Sequence, residues 1–167
     1  MIYFITGGER SGKSGYAQKI ATENTDKPVY VATARQWDDD FKKRIEKHKA
    51  DRDERWTTIE AEKGIGELDI DGKTVVIDCI TLWLTNLFDD SGYNAELCLK
   101  YAKEQIDKLA AKEGMFIMVS NELGMGVHAV TREGRKFVEL QGWVNQYIAS
   151  KADKAFLMIA GLPLQIK

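Results

Sequence analysis

Near the amino terminus stands the string Gly7-Gly8-Glu9-Arg10-Ser11-Gly12-Lys13-Ser14, which places glycine, glycine-lysine and a hydroxyl at the spacing G-x-x-x-x-G-K-[ST]. The glycines let the backbone curl until successive N–H groups converge on phosphate oxygens. A helix opening at this point adds its partial positive charge. Lys13 then neutralises the β- and γ-phosphates of a nucleoside triphosphate, and the Ser14 hydroxyl ligates Mg²⁺. The bland alternative is a glycine-rich turn without a ligand. An apolar run before the string and helical spacing after it favour the phosphate loop.

Such a loop needs a carboxylate at the end of another strand to hold Mg²⁺. Asp78, closing Val75-Val76-Ile77-Asp78, is the first candidate. Its competing role is the N-cap of a helix beginning near Thr81. Glu122, after Val119-Ser120-Asn121, is a second and weaker candidate. The guanine-reading string N-K-x-D of ordinary GTPases is absent, and Asp69-Ile70-Asp71-Gly72 reads as a turn ahead of a strand.

A second chemical feature is the basic segment Lys42-Lys43-Arg44-Ile45-Glu46-Lys47-His48-Lys49-Ala50-Asp51-Arg52, continuing to Arg55-Trp56. His48 continues a stripe with Phe41 and Ile45, so it could simply pack on a charged helix. The sharper reading uses the cations: they disfavour imidazolium, keep His48 neutral near pH 7, and gather a triphosphate beside it. A neutral imidazole next to a nucleotide can form a phosphoramidate and split nucleotidyl transfer into two displacements. His128 has no comparable surroundings.

The elements that must position these groups alternate. Apolar runs at residues 2–6, 29–32, 74–79, 116–121 and 155–160 suit strands buried on both faces of a parallel sheet, and 164–166 suits an edge strand. Helical spacing appears in Tyr16, Ala17, Ile20 and Ala21, in Phe41, Ile45 and His48, in Leu99 through Ala110, and in Phe137 through Ile148. Strands alternating with helices predict a single α/β domain over residues 1–167.

Composition narrows the function classes. Four tryptophans, six tyrosines and six phenylalanines within 44% apolar residues supply a core, which excludes intrinsic disorder. The net charge of −2 lacks the basic excess of a duplex nucleic-acid binder. No apolar run reaches membrane-span length, and the opening Met1-Ile2-Tyr3-Phe4-Ile5 has no basic region of a signal peptide. Cys79 and Cys98 are the two cysteines, at no metal or disulfide-framework spacing. A reduced, cytoplasmic globular protein is expected.

Together the residues resemble the bifunctional adenosylcobinamide kinase/adenosylcobinamide-phosphate guanylyltransferases of cobalamin assembly. Five blocks carry the likeness across nearly the whole chain: Thr6 through Ser14; Val29-Tyr30-Val31-Ala32-Thr33-Ala34; Arg44 through Lys49 with Arg52, Trp56, Thr58 and Glu60; Asp78-Cys79-Ile80-Thr81 with Thr85-Asn86-Leu87; and Ser120-Asn121-Glu122-Leu123-Gly124-Met125-Gly126 with Gly142, Val144 and Asn145. The resemblance implies a RecA-like phosphate-loop sheet flanked by helices. It implies phosphorylation of adenosylcobinamide by ATP or GTP, then transfer of GMP from GTP through a guanylylated histidine, here His48. Nucleotide contacts map to Gly7, Gly8, Glu9, Arg10, Ser11, Gly12, Lys13 and Ser14, to Ala32, Thr33 and Ala34, and to Lys49, Ala50, Asp51 and Arg52. An acid after Trp56, either Glu60 or Glu62, completes them, and Asp78 takes the metal-carboxylate position. A homotrimer with the corrinoid site between subunits is also implied.

The chain departs from the family pattern in two places. Lys47 stands where members often carry a first histidine, and Val127-His128-Ala129 lacks the usual proline. Two other readings stay open here. A phosphate-loop kinase for another small hydroxyl substrate would form no covalent nucleotide, and a nucleotide-dependent switch would hydrolyse slowly at most. Tyr93, Trp83 and Trp143 are candidate apolar contacts for a corrinoid, with core packing as the competing explanation.

Overall fold

The computed structural model describes residues 1–35 and 52–167. Its strands are β1 (Ile2–Gly7), β2 (Val29–Ala32), β3 (Thr57–Glu60), β4 (Thr74–Asp78), β5 (Met115–Val119), β6 (Lys154–Ile159) and β7 (Leu162–Gln165). The helices among the described residues are α1 (Lys13–Asn24), α2 (Ile80–Asp90), α3 (Ala95–Ala110) and α4 (Arg132–Lys151), with a 3₁₀ turn at Ile65–Glu67.

The seven strands form one sheet in the order β3-β2-β4-β5-β1-β6-β7. Every pairing is parallel except the last, where β7 folds back antiparallel on β6. Because successive side chains alternate between faces, each central strand feeds two cores. On one face Ile5, Tyr30, Val76, Ile117, Val119 and Phe156 pack beneath Ala17, Ile20 and Ala21 of α1. On the other, Phe4, Val75, Ile77 and Phe116 meet Trp83, Leu84, Ile106, Val144 and Ile148 of α2, α3 and α4. Burial on both faces is why these strands are nearly continuous apolar runs.

The expected mostly parallel α/β sheet is therefore present. The apolar runs fall on β1, β2, β4, β5 and β6 with ends displaced by one or two residues, and the expected edge strand is β7. Two elements lie beyond those runs, the second being the helix near Thr81 for which Asp78 is a candidate cap. β3 is exposed at Thr57, Thr58 and Glu60 and so lacks an apolar signature. α2 is buried at seven positions, among them Ile80, Trp83, Leu84, Leu87 and Phe88. Its cap is Cys79, whose sulfur accepts from the Leu82 N–H at 3.4 Å, so Asp78 is released from the capping role. Trp83 is fully buried in the α2 core and is corrected from a candidate corrinoid contact to a packing residue, whereas Tyr93 and Trp143 are exposed. Phe41, Ile45 and the helix drawn through them lie outside the described residues.

Candidate active site

Strand ends fix the site. Parallel pairing brings the carboxyl ends of β1, β5, β4, β2 and β3 to one edge of the sheet, where open α/β folds bind ligands. One rung of the ladder runs Ile5–Val119–Asp78–Ala32–Glu60 across those five strands. Thus Asp78, Ala32 and Glu60, far apart in sequence, lie side by side at that edge.

The phosphate loop leaves β1 just past this rung. Gly7 has φ +151°, and a Cβ there would stand 2.6 Å from the Met158 carbonyl oxygen and 2.9 Å from Ser11 Oγ. Gly12 has φ +94° and opens α1, whose first turn carries no acidic side chain to offset its positive end. The buried Lys13 ammonium donates to the Gly8 carbonyl, holding it within the loop. The β6–β7 turn braces the loop from outside, with the Gly161 N–H donating to the Ser11 carbonyl at 3.0 Å. The hydroxyls of Thr6 and Ser11 are buried with no protein partner.

Ala32-Thr33-Ala34 is pinned from two directions. The Thr33 N–H donates to the Asp78 carbonyl at 3.3 Å and its hydroxyl to the Cys79 carbonyl at 2.8 Å. Fully buried Asn86, from α2, donates to the carbonyls of Thr33 at 2.8 Å and Glu62 at 3.2 Å. Arg35 then forks onto Asp90 at 2.9 and 3.0 Å and reaches Glu62 at 2.7 Å. Arg35 and Lys63 hold the Asp90 carboxyl well below the usual carboxylate range.

A cavity of about 380 Å³ opens beside β3, lined by Arg52, Asp53, Trp56, Thr58 and Glu60. Of the two acids left open by the sequence, Glu60 lines this cavity, whereas Glu62 lies in the Arg35 ion pair. Between cavity and phosphate loop stands Tyr30. Its hydroxyl donates to Asp78 Oδ2 at 2.9 Å, and burial, reinforced by that carboxylate, pushes its phenol well above the ordinary range.

Ser14 and Asp78 offer a hydroxyl and a carboxylate, the hard oxygen donors that suit Mg²⁺ alongside phosphate oxygens and water. Among the described residues no three His, Cys, Asp or Glu side chains gather into a separate metal cage. The donor set therefore fits a cation brought in with a nucleotide.

Comparison with known proteins decides the family. The model of "Cobinamide kinase / cobinamide phosphate guanyltransferase" matches residues 3–166. The chain belongs to this cobinamide kinase / cobinamide phosphate guanyltransferase family. It is 34% identical over 171 residues to the "Bifunctional adenosylcobalamin biosynthesis protein CobP" of Pseudomonas aeruginosa, covering 98% of this chain and 95% of that one. With the Escherichia coli K12 protein named "Bifunctional adenosylcobalamin biosynthesis protein CobU" it shares 32% over 182 residues, covering both chains fully. Among solved structures, the flagellar accessory protein FlaH from Methanocaldococcus jannaschii aligns with a TM-score of 0.50 and 17% identity, over 99% of this chain and 77% of that one. That likeness shows the fold alone.

In this cobinamide kinase family member the structure assembles Gly7–Ser14, Ala32–Ala34, Arg52, Glu60 and Asp78 on one sheet edge. His48, Lys49, Ala50 and Asp51 lie outside the described residues. Glu122 sits beside the phosphate loop: its N–H donates to the Gly7 carbonyl at 3.0 Å, and its carboxylate accepts from the Gly124 N–H at 2.9 Å. Behind it, Ser120, Gln141 and Asn145 form a buried network, and Asn145 Nδ2 donates to the Asn121 carbonyl at 3.1 Å. Sequence reading missed roles for Tyr30 and Gln141. A hydroxyl inside an otherwise apolar strand was the available signal for Tyr30, and Gln141 gave none.

Cys79 adjoins Asp78, and burial pushes its thiol up to about 12. Because the shift is upward, the neutral thiol dominates at pH 8. A disulfide reagent at pH 8 is expected to leave Cys79 unmodified in the native protein and to titrate it after denaturation.

Proposed function

We propose that this chain phosphorylates the hydroxyl of adenosylcobinamide with ATP or GTP and then transfers GMP from GTP to the resulting phosphate, giving adenosyl-GDP-cobinamide. The observation that carries this reading is the family match over residues 3–166, on a chain with an intact phosphate loop. Its relatives' printed names, each a bifunctional adenosylcobalamin biosynthesis protein, support it.

In the kinase step the amides of Gly8 through Ser14 and the Lys13 ammonium bind the β- and γ-phosphates. Ser14 and Asp78 would hold Mg²⁺, which, when bound, offsets charge on the phosphate oxygens. The substrate hydroxyl attacks the γ-phosphorus, its P–O bond forms, and the bond to the nucleoside diphosphate breaks. In the second reaction an imidazole nitrogen of His48 attacks the α-phosphorus of GTP and pyrophosphate departs. An oxygen of cobinamide phosphate then displaces His48, breaking the P–N bond. The cavity beside β3, with Glu60 among its lining residues, would receive the guanine base.

On this reading the protein acts in the cytoplasm as a homotrimer. Exposed Ile159, Leu162, Leu164 and Ile166 at the β7 edge supply apolar surface for contact between copies.

The test is incubation with α-labelled GTP and Mg²⁺, denaturation and intact mass. One GMP per chain, acid-labile and base-stable, is expected. Its absence from protein shown to bind GTP would return His48 to a packing role.

A further inference from the structure

Tyr30 touches both halves of the candidate site with different parts of one side chain. It extends from β2 on the α1 face of the sheet, buried among Ile5, Ala17, Ile20 and Val76. Its hydroxyl donates to Asp78 Oδ2 at 2.9 Å. Its ring face carries the Arg52 guanidinium, with Cζ 3.8 Å from the ring centroid. Trp56 closes on the ring edge-to-face at 6.1 Å. Arg52 and Trp56 line the cavity, and Arg52 Nη1 is buried with no protein partner.

We propose that Tyr30 is a positioning residue that orients the Asp78 carboxylate toward the metal-bound triphosphate and, through its ring, seats Arg52 at the cavity. The inference rests on the reading of Asp78 as the metal carboxylate.

A carboxylate at a strand end rotates about its terminal torsion, and a hydrogen bond to one oxygen fixes which lone pairs the other presents. Outer partners of this kind set the orientation and basicity of a ligand oxygen. Val76 and Asp78 point to the same face of β4 as Tyr30, whose backbone pairs with Val76 one strand away, so the phenol reaches that carboxylate without leaving the sheet. Stacking on an aromatic face restrains a guanidinium while its N–H groups stay available to a ligand. Arg52 follows, in the sequence, the segment that carries His48.

The two contacts separate by mutation. Y30F keeps the ring and deletes the hydroxyl, whereas Y30L deletes both. The readout is equilibrium binding of a fluorescent GTP analogue, titrated with Mg²⁺ and repeated in EDTA, beside D78N, R52M and a thermal melt of each protein. For Y30F the Mg²⁺ concentration at half-maximal enhancement should rise about tenfold, as for loss of an outer partner of a metal ligand. Its affinity in EDTA should stay at the wild-type value. Y30L and R52M should weaken binding in EDTA about three- to tenfold.

An unshifted Mg²⁺ midpoint in Y30F, with a shifted one in D78N, overturns the inference and leaves the role of Asp78 standing. An unshifted midpoint in D78N itself removes Asp78 from the metal site and takes the inference with it. A Y30F protein weakened equally with and without Mg²⁺, with a lowered melting temperature, shows a packing role and overturns it too. Y30F differs from wild type by one oxygen atom, so the test survives if Y30L fails to fold.

Discussion

A His48→Ala protein is expected to phosphorylate adenosylcobinamide at close to the normal rate while guanylyl transfer falls by at least about a thousandfold. On the proposed reading the two reactions share a triphosphate site but differ in their nucleophile. The first uses the substrate's hydroxyl, and the second requires a nitrogen to carry GMP. Arg44, Lys47 and Lys49 surround His48 in the sequence. Lys13→Ala should lower both rates by about a hundredfold or more, because each reaction develops charge on phosphates gripped by the same loop. The steps are assayed separately, with adenosylcobinamide and ATP, then with cobinamide phosphate and GTP. Equal loss of both in a folded His48→Ala protein would sink the division of labour.

Gly7→Ala is expected to abolish nucleotide binding in a protein that still carries its sheet. The added Cβ meets the Met158 carbonyl at 2.6 Å, and backbone cannot rotate away as a side chain can. The φ of +151° is costly for alanine, by about 1–3 kcal/mol. The displacement reaches Glu122 as well, whose N–H is bonded to the Gly7 carbonyl. Affinity for a fluorescent nucleotide should fall by more than about a hundredfold, with secondary structure by circular dichroism near that of the parent. Retained affinity would mean that the loop has slack between β1 and β6 that the contact distances deny.

Much of this was legible in the residues. Buried parallel strands advertise themselves as short apolar runs, and the phosphate loop is a contiguous string whose geometry is local. What escaped has a common physical character. β3 holds its place through backbone pairing to β2 while exposing Thr57, Thr58 and Glu60, so its side chains carry little trace of it. Helix α2 is capped by a thiol where a hydroxyl or carboxylate would be sought. Glu62 pairs with Arg35, which also holds Asp90, partners that only folding brings near. The Tyr30–Asp78 bond joins residues 48 positions apart, and Gln141 reaches Ser120 across 21. Such pairings are set by sheet order, which no local spacing encodes.

The rung from Ile5 to Glu60 has a metrical consequence. It crosses four strand-to-strand intervals, which at the usual inter-strand spacing amount to about 19 Å. The backbone hydrogen bonds of a sheet barely stretch, so this length works as a ruler laid between the phosphate loop and the acid at the far cavity. A ligand that engages both ends must match it, and loops can vary in sequence without altering the gauge. On the proposed reading, whatever distinguishes a nucleoside triphosphate from a shorter phosphate ester is measured first by counting strands.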